Sequence, residues 1–114
     1  RTVYWDLKDK HNAANPGIYF RNNVWYWHPL WNLVALVAGH ILTNEDIKEG
    51  HFNSCYQITK DKAEKIAILL EKSIKDKTAH NFMEQCKDDD RAFSIENVEE
   101  FILFCKESGG FEIG

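Results

Sequence analysis

The three cysteines, Cys55, Cys86 and Cys105, form no CxxC pair, and their odd number leaves at least one thiol unpaired. That speaks against a disulfide framework and predicts reduced thiols in a cytoplasmic protein. Positive charge is also short. Fourteen Lys and Arg stand against 18 Asp and Glu, a net charge of −4, the wrong balance for a protein that neutralises duplex nucleic acid. No apolar run reaches the roughly 18 residues of a membrane span. The longest, residues 30–42, is broken by Asn32, Gly39 and His40. No signal peptide, Gly-rich phosphate loop, internal repeat or low-complexity stretch is legible.

What remains is the composition of an ordinary folded domain, 44% hydrophobic and 28% charged over 114 residues. That length predicts a single domain over 1–114 with one core. The charge is unevenly spread. Residues 60–77 carry six lysines against four acids, and residues 84–100 carry seven acids against Lys87 and Arg91. The pattern fits two solvated helix faces of opposite sign. It also fits a partner-binding acidic surface around Asp88, Asp89 and Asp90.

Periodicity predicts a mainly helical α+β domain. Ala63, Ile66, Ala67, Leu70 and Ile74 form a stripe that defines an amphipathic helix over about 60–76, capped by Thr59. Ile95, Val98, Phe101, Ile102 and Cys105 do the same over about 94–108, between the Ser94 cap and a stop at Gly109-Gly110. Thr43 with Asp46 three residues on predicts a short capped helix over 43–49, closed by Gly50. Pro29 suits a first helical position, so a helix apolar on every side, and therefore buried, is expected over about 29–42 with His28 at its cap. A further helix is expected over 79–88, alone or as an extension of its predecessor. Extended segments are expected over 2–7, at an edge strand over 111–113, and as a small N-terminal β ribbon around a turn at Asn22-Asn23, with an irregular aromatic loop leading into a helix as the competing reading of that block. Residues 8–17 read as a loop with a turn at Pro16-Gly17.

The stretch YFRNNVWYWHPLW, residues 19–31, holds three of the four tryptophans together with Arg21, Asn22, Asn23 and His28. Such density suits either a hydrophobic anchor or a stacking surface with polar readers. As a strand, it would turn Trp25 and Trp27 to one face and Tyr26 to the other. Farther on, the segment GHFN places His51 and Asn53 on a loop. If the fold returns that loop to the aromatic block, Arg21, Asn22, Asn23, Trp25, Trp27, His28, His51 and Asn53 become one candidate ligand site. Aromatic faces with Arg and Asn suit a nucleotide-like ligand.

The block resembles one found in a family of small uncharacterised proteins of bacteriophages, prophages and some bacterial genomes. Its FRNN-W-W-PLW pattern corresponds to Phe20, Arg21, Asn22, Asn23, Trp25, Trp27, Pro29, Leu30 and Trp31. The Gly-His-aromatic-Asn segment that follows corresponds to residues 50–53, and the helix from Lys60 also matches. The resemblance covers about residues 17–75. It implies a phage-type accessory protein, with counter-defence among its expected roles, and supplies no mechanism.

The expected function is therefore binding without catalysis, cofactor or metal. The expected partner is a nucleotide-like small molecule or, through the acidic 84–100 surface, a host protein. Self-association through exposed aromatics is compatible with both. A hydrolase using His51 and His28 as acid–base groups, or a Cys55 thiolate beside either, is the weaker alternative, because no nucleophile motif surrounds them. His51 and Cys55 have a spacing that suits metal only with two further ligands.

Overall fold

Residues 2–4, 19–21, 24–52 and 55–113 are described in a computed structural model. Two short parallel strands, β1 (Thr2–Tyr4) and β2 (Tyr19–Arg21), lead into α1 (Val24–Ala38). Then come α2 (Asn44–Glu49), β3 (Tyr56–Ile58), α3 (Lys60–Lys75), α4 (Thr78–Asp88), α5 (Ile95–Ser108) and β4 (Phe111–Ile113). The strands form one sheet in the order β2-β1-β4-β3, with β4 parallel to β1 and antiparallel to β3.

The locally signalled helices form where their caps predict. Thr43 Oγ1 accepts from the Asp46 amide while the Asp46 carboxylate accepts from the Thr43 amide, which makes a capping box for α2. Thr59 and Ser94 cap α3 and α5 more simply, their side-chain oxygens accepting from the Lys62 and Asn97 amides. After α5 the chain needs a left-handed turn, and Gly109 (φ 67°) and Gly110 (φ 101°) supply it. The main helix contact is α3 against α5, and α3 also packs on α1 and α4. α3 is thus the element on which the other three long helices pack.

Four expectations need correction. The aromatic helix begins at Val24, five residues before Pro29, and ends at Ala38. Pro29 therefore sits inside it and leaves the Trp25 carbonyl without its usual amide. Starting one turn early carries Trp27 inward beside Trp31, a gain in buried area that outweighs the weak helix propensity of these residues. Nor is α1 buried on every side, since Trp25 and Leu36 face solvent. The segment 111–113 is an interior strand and not an edge, because its neighbour β1 lies at the other end of the chain. Finally, β1 and β2 run parallel in the four-stranded sheet, and residues 24–27, expected as the second arm of the ribbon, are the first turn of α1. The expected turns at 16–17 and 22–23, and the loop over 8–17, lie outside the described residues.

Aromatic rings join sheet to helices. Phe20 on β2 meets Phe101 at 5.0 Å, Trp27 meets Phe101 edge-on at 5.6 Å, and Phe111 on β4 meets Phe104 at 5.2 Å. Full burial of such a side chain is worth about 2–3 kcal/mol each, so this cluster contributes a large part of the stability of a domain this small.

A second joint is polar. Asp46 is 2% exposed, and it accepts hydrogen bonds from the Tyr56 hydroxyl on β3 and from Lys62 Nζ on α3. Burial pushes the Asp46 carboxyl up. The hydrogen bonds from Lys62, Tyr56 and Thr43, with the Lys62 charge, outweigh that and hold it below the usual carboxylate range. The same contact, with burial and nearby negative charge, pushes the Tyr56 hydroxyl up to about 12, so it stays a donor. A depressed carboxyl stabilises the fold above its unfolded value, and that stability drains as pH falls through the folded value. Asp46→Ala should cost about 3 kcal/mol in urea denaturation at pH 7, because it strands Lys62 and Tyr56. The variant should also lose part of the wild-type acid sensitivity below about pH 4.

Candidate functional site

Helical geometry sorts the aromatic block. Successive residues turn about 100° around a helix, so Trp27 and Trp31, one turn apart, share a face while Trp25 points almost opposite. Trp27 is completely buried and Trp25 is 75% exposed. The strand reading, with both on one face, does not hold. The Trp27 and Trp31 rings stack at 5.5 Å, and both indoles donate to the turn that ends α2. Trp27 Nε1 donates to the Gly50 carbonyl at 2.8 Å, and Trp31 Nε1 donates to the Ile47 carbonyl at 3.0 Å.

Gly50 is required here by contact. Its φ of −62° is ordinary, but a Cβ would lie 2.0 Å from the Trp31 ring. The glycine read in the sequence as a helix stop is a seat for an indole. Because the turn lies flat against α1, the next residue reaches across. His51 Nδ1 is 2.9 Å from His28 Nδ1, with ring centroids 5.1 Å apart and planes tilted by 31°. The centroid separation exceeds the nitrogen separation by about 2.2 Å. Both nitrogens therefore lie between the ring centres, in the end-to-end arrangement of one N–H donating to one bare nitrogen.

That contact constrains protonation. One ring must carry hydrogen on Nδ1, and the other must present Nδ1 as a lone pair. Burial lowers the proton affinity of His28. Burial, and then the charge His28 would carry, lowers that of His51. Both shifts favour the neutral rings at pH 7. A second proton would set two N–H groups face to face.

The sheet explains why the two segments meet. β1, β2 and β4 run in one direction, so Tyr4, Arg21 and Ile113 end at one edge. The Cys55 amide donates to the Ile113 carbonyl at that edge, at 2.8 Å. The end of β2 at Arg21 and Cys55 ahead of β3 both lie at this edge. Ligands in open α/β sheets gather outside the carboxyl ends of parallel strands.

Among the candidate residues, Arg21 ends β2, Trp25 is exposed, and His28 and His51 are in contact. Trp27 belongs to the core, with its N–H occupied. Asn22, Asn23 and Asn53 lie outside the described residues. Asp88, Asp89 and Asp90 are exposed at the end of α4 and in the turn after it, where Asp89 pairs with Arg91 at 3.0 Å. Two contributors were not singled out in the sequence. One is Gly50, as the seat of Trp31. The other is Phe52, an aromatic beside His51 that is half exposed; both were read only as members of the GHFN segment, and Gly50 also as the stop of the 43–49 helix. No group of three or more His, Cys, Asp or Glu side chains among the described residues could hold a metal ion. No helix among them is long and apolar enough to cross a membrane. A shallow groove of about 300 Å³ between α3 and α5 is lined by Ile74, Ile102 and Leu103 with charged rims, and includes none of the candidate residues.

Comparison with protein-family models, curated proteins and solved structures gives no match for this chain.

The two tryptophans should separate sharply in stability measurements. Trp25→Ala should change unfolding free energy by less than about 0.5 kcal/mol. Trp27→Ala should cost about 3–5 kcal/mol through lost burial and an orphaned carbonyl. Gly50→Ala should cost more than about 2 kcal/mol by forcing Trp31 from its seat, read from the urea midpoint.

Proposed function

We propose that the protein is a non-enzymatic binding protein that holds a nucleotide-like small molecule at the carboxyl edge of its sheet. The observation that carries this reading is the exposed Trp25 ring on the helix that begins at that edge, one turn from the joined His28 and His51. An exposed tryptophan contributes nothing to the core and offers a flat face on which a base can stack. The start of α1 favours the reading further. Its first turn has no acidic residue, and amides at a helix start attract phosphate. Arg21, Asn22 and Asn23 immediately precede it in sequence and would pair with the same groups. His28, His51 and Asn53 are the candidate readers of the base or sugar edge. Trp27 supports the site from within the core.

The biological role that goes with this reading is sequestration. The protein would act by occupying its ligand, as a phage-type accessory protein with a counter-defence role. The resemblance of the aromatic block and the GHFN segment supports that assignment. The lack of a nucleophile motif around the histidines favours binding over hydrolysis.

A second reading, inhibition of a host protein through the acidic surface of residues 84–100, has one observation in its favour. Asp88 and Asp89 sit at the C-terminal end of α4, where the helix dipole disfavours negative charge. Arg91 accounts for Asp89, but helix stability does not account for the placement of Asp88, whereas a basic partner would.

Titration with mononucleotides and cyclic dinucleotides, followed by tryptophan fluorescence, should give saturable quenching. Trp25→Ala should weaken binding roughly ten- to hundredfold, the worth of one stacked base. Arg21→Ala should also weaken it, with circular dichroism unchanged in both variants. Absence of saturable quenching with every nucleotide would overturn this reading. Salt-sensitive capture of a host protein, lost on reversing charge at Asp88, Asp89 and Asp90, would establish the second.

A further inference from the structure

We infer that the His28–His51 contact is a proton-operated latch that fastens the turn after α2 to α1 and releases it in mild acid. The argument starts from the geometry of the two rings. At 2.9 Å, Nδ1 to Nδ1, there is room for one hydrogen between them. A neutral pair has one, and a singly protonated pair still has one, because the added proton goes to a nitrogen outside the contact. A doubly protonated pair has two hydrogens and two positive charges in the same space. The rings must then part.

Burial adds to that repulsion, since it weakens the hydration of both charges. On the described elements that meet here, the other titratable groups are Tyr26 on α1, Glu45, Asp46, Lys48 and Glu49 on α2, and Cys55 ahead of β3. Burial lowers the proton affinity of both imidazoles, and the charge His28 would carry lowers that of His51 further. From α3 and α4, which also pack on α1, the buried side chains are uncharged: Ala63, Ile66, Ala67, Leu70 and Ser73, then Ala79, Phe82 and Cys86. Asp46, the one buried carboxylate among the described residues, is taken by Lys62 and Tyr56.

The sign follows from linkage. Both rings bind protons less readily in the closed fold than in water. Opening therefore takes up protons once pH falls below the ordinary imidazole value of 6.5. The contribution of the latch is complete above that value and drains away below it. The turn it releases is the one whose Ile47 and Gly50 carbonyls hold the indoles of Trp31 and Trp27. A local protonation is thus felt in the core face of α1. That this turn also borders a ligand site rests on the function proposed above. If both hold, ligand is kept at neutral pH and let go in acid.

The test needs no ligand, so its outcome is independent of the binding reading. Ring resonances of His28 and His51, and indole N–H exchange of Trp27 and Trp31, are followed by NMR from pH 7.5 to 5. Exchange is referred to a free indole at each pH. The two imidazoles should titrate in two coupled steps, the second displaced to acid. Exchange at Trp27 should accelerate about tenfold or more, the effect of one proton taken up per opening over one pH unit. The exposed Trp25 indole should show no such change. His28→Gln and His51→Gln keep a neutral hydrogen-bonding side chain and should each flatten the response. Independent titration of the two rings at the ordinary value would overturn the latch. So would flat Trp27 exchange in the wild type, or the same acceleration in both glutamine variants.

Discussion

The seating of two indoles on the turn after α2 is the contact on which the other features depend. Trp27 and Trp31 each bring a large apolar ring and one N–H into the core, and a buried N–H needs an acceptor. The turn from Ile47 to Gly50 provides two carbonyls, and Gly50 lets the backbone approach the Trp31 ring. With the turn held in this way, His51 has little choice but to meet His28. The aromatic block is therefore an anchor and a surface together, divided by helical period. Its inward residues hold the fold, and Trp25 is left for solvent or a partner.

The turn is fixed from its other side by charge. Asp46 caps α2, takes the Tyr56 hydroxyl from β3, and pairs with Lys62 on α3. One carboxylate thereby orients three elements, and its low proton affinity means that the arrangement survives moderate acid. The histidine pair responds over a higher range. The polar joints of this small domain thus differ in the pH at which they fail, and the one that fails first borders the proposed site.

The legible parts of the fold were those with local causes. Thr43 with Asp46, the stripe from Ala63 to Ile74, and Ser94 before Ile95 each fix a helix by contacts within a few residues. The sheet was not legible because Thr2 pairs with Glu112, and nothing in three residues of either strand names a partner at the far end of the chain. The start of α1 was misread because Val24 to Trp27 alternate like a strand and Pro29 resembles a first helical position. Burial of Trp27 decided otherwise. In the site, the hypothesis that GHFN returns to the aromatic block could be framed from sequence. The contact of His51 with His28 could not be derived from it, since it depends on where the sheet sends both segments. The burial of Trp27 and exposure of Trp25 followed only once the period was known to be helical.

The most direct test of this account is the protonation pattern of the two histidines at pH 7.5, read by long-range nitrogen–proton NMR on the wild-type protein. The docked turn requires one ring with hydrogen on Nδ1, the other with hydrogen on Nε2, and a nitrogen–nitrogen coupling across the hydrogen bond between them. Two rings both protonated on Nε2, with no coupling, would mean that His28 and His51 do not meet and that the turn does not lie on α1 as described.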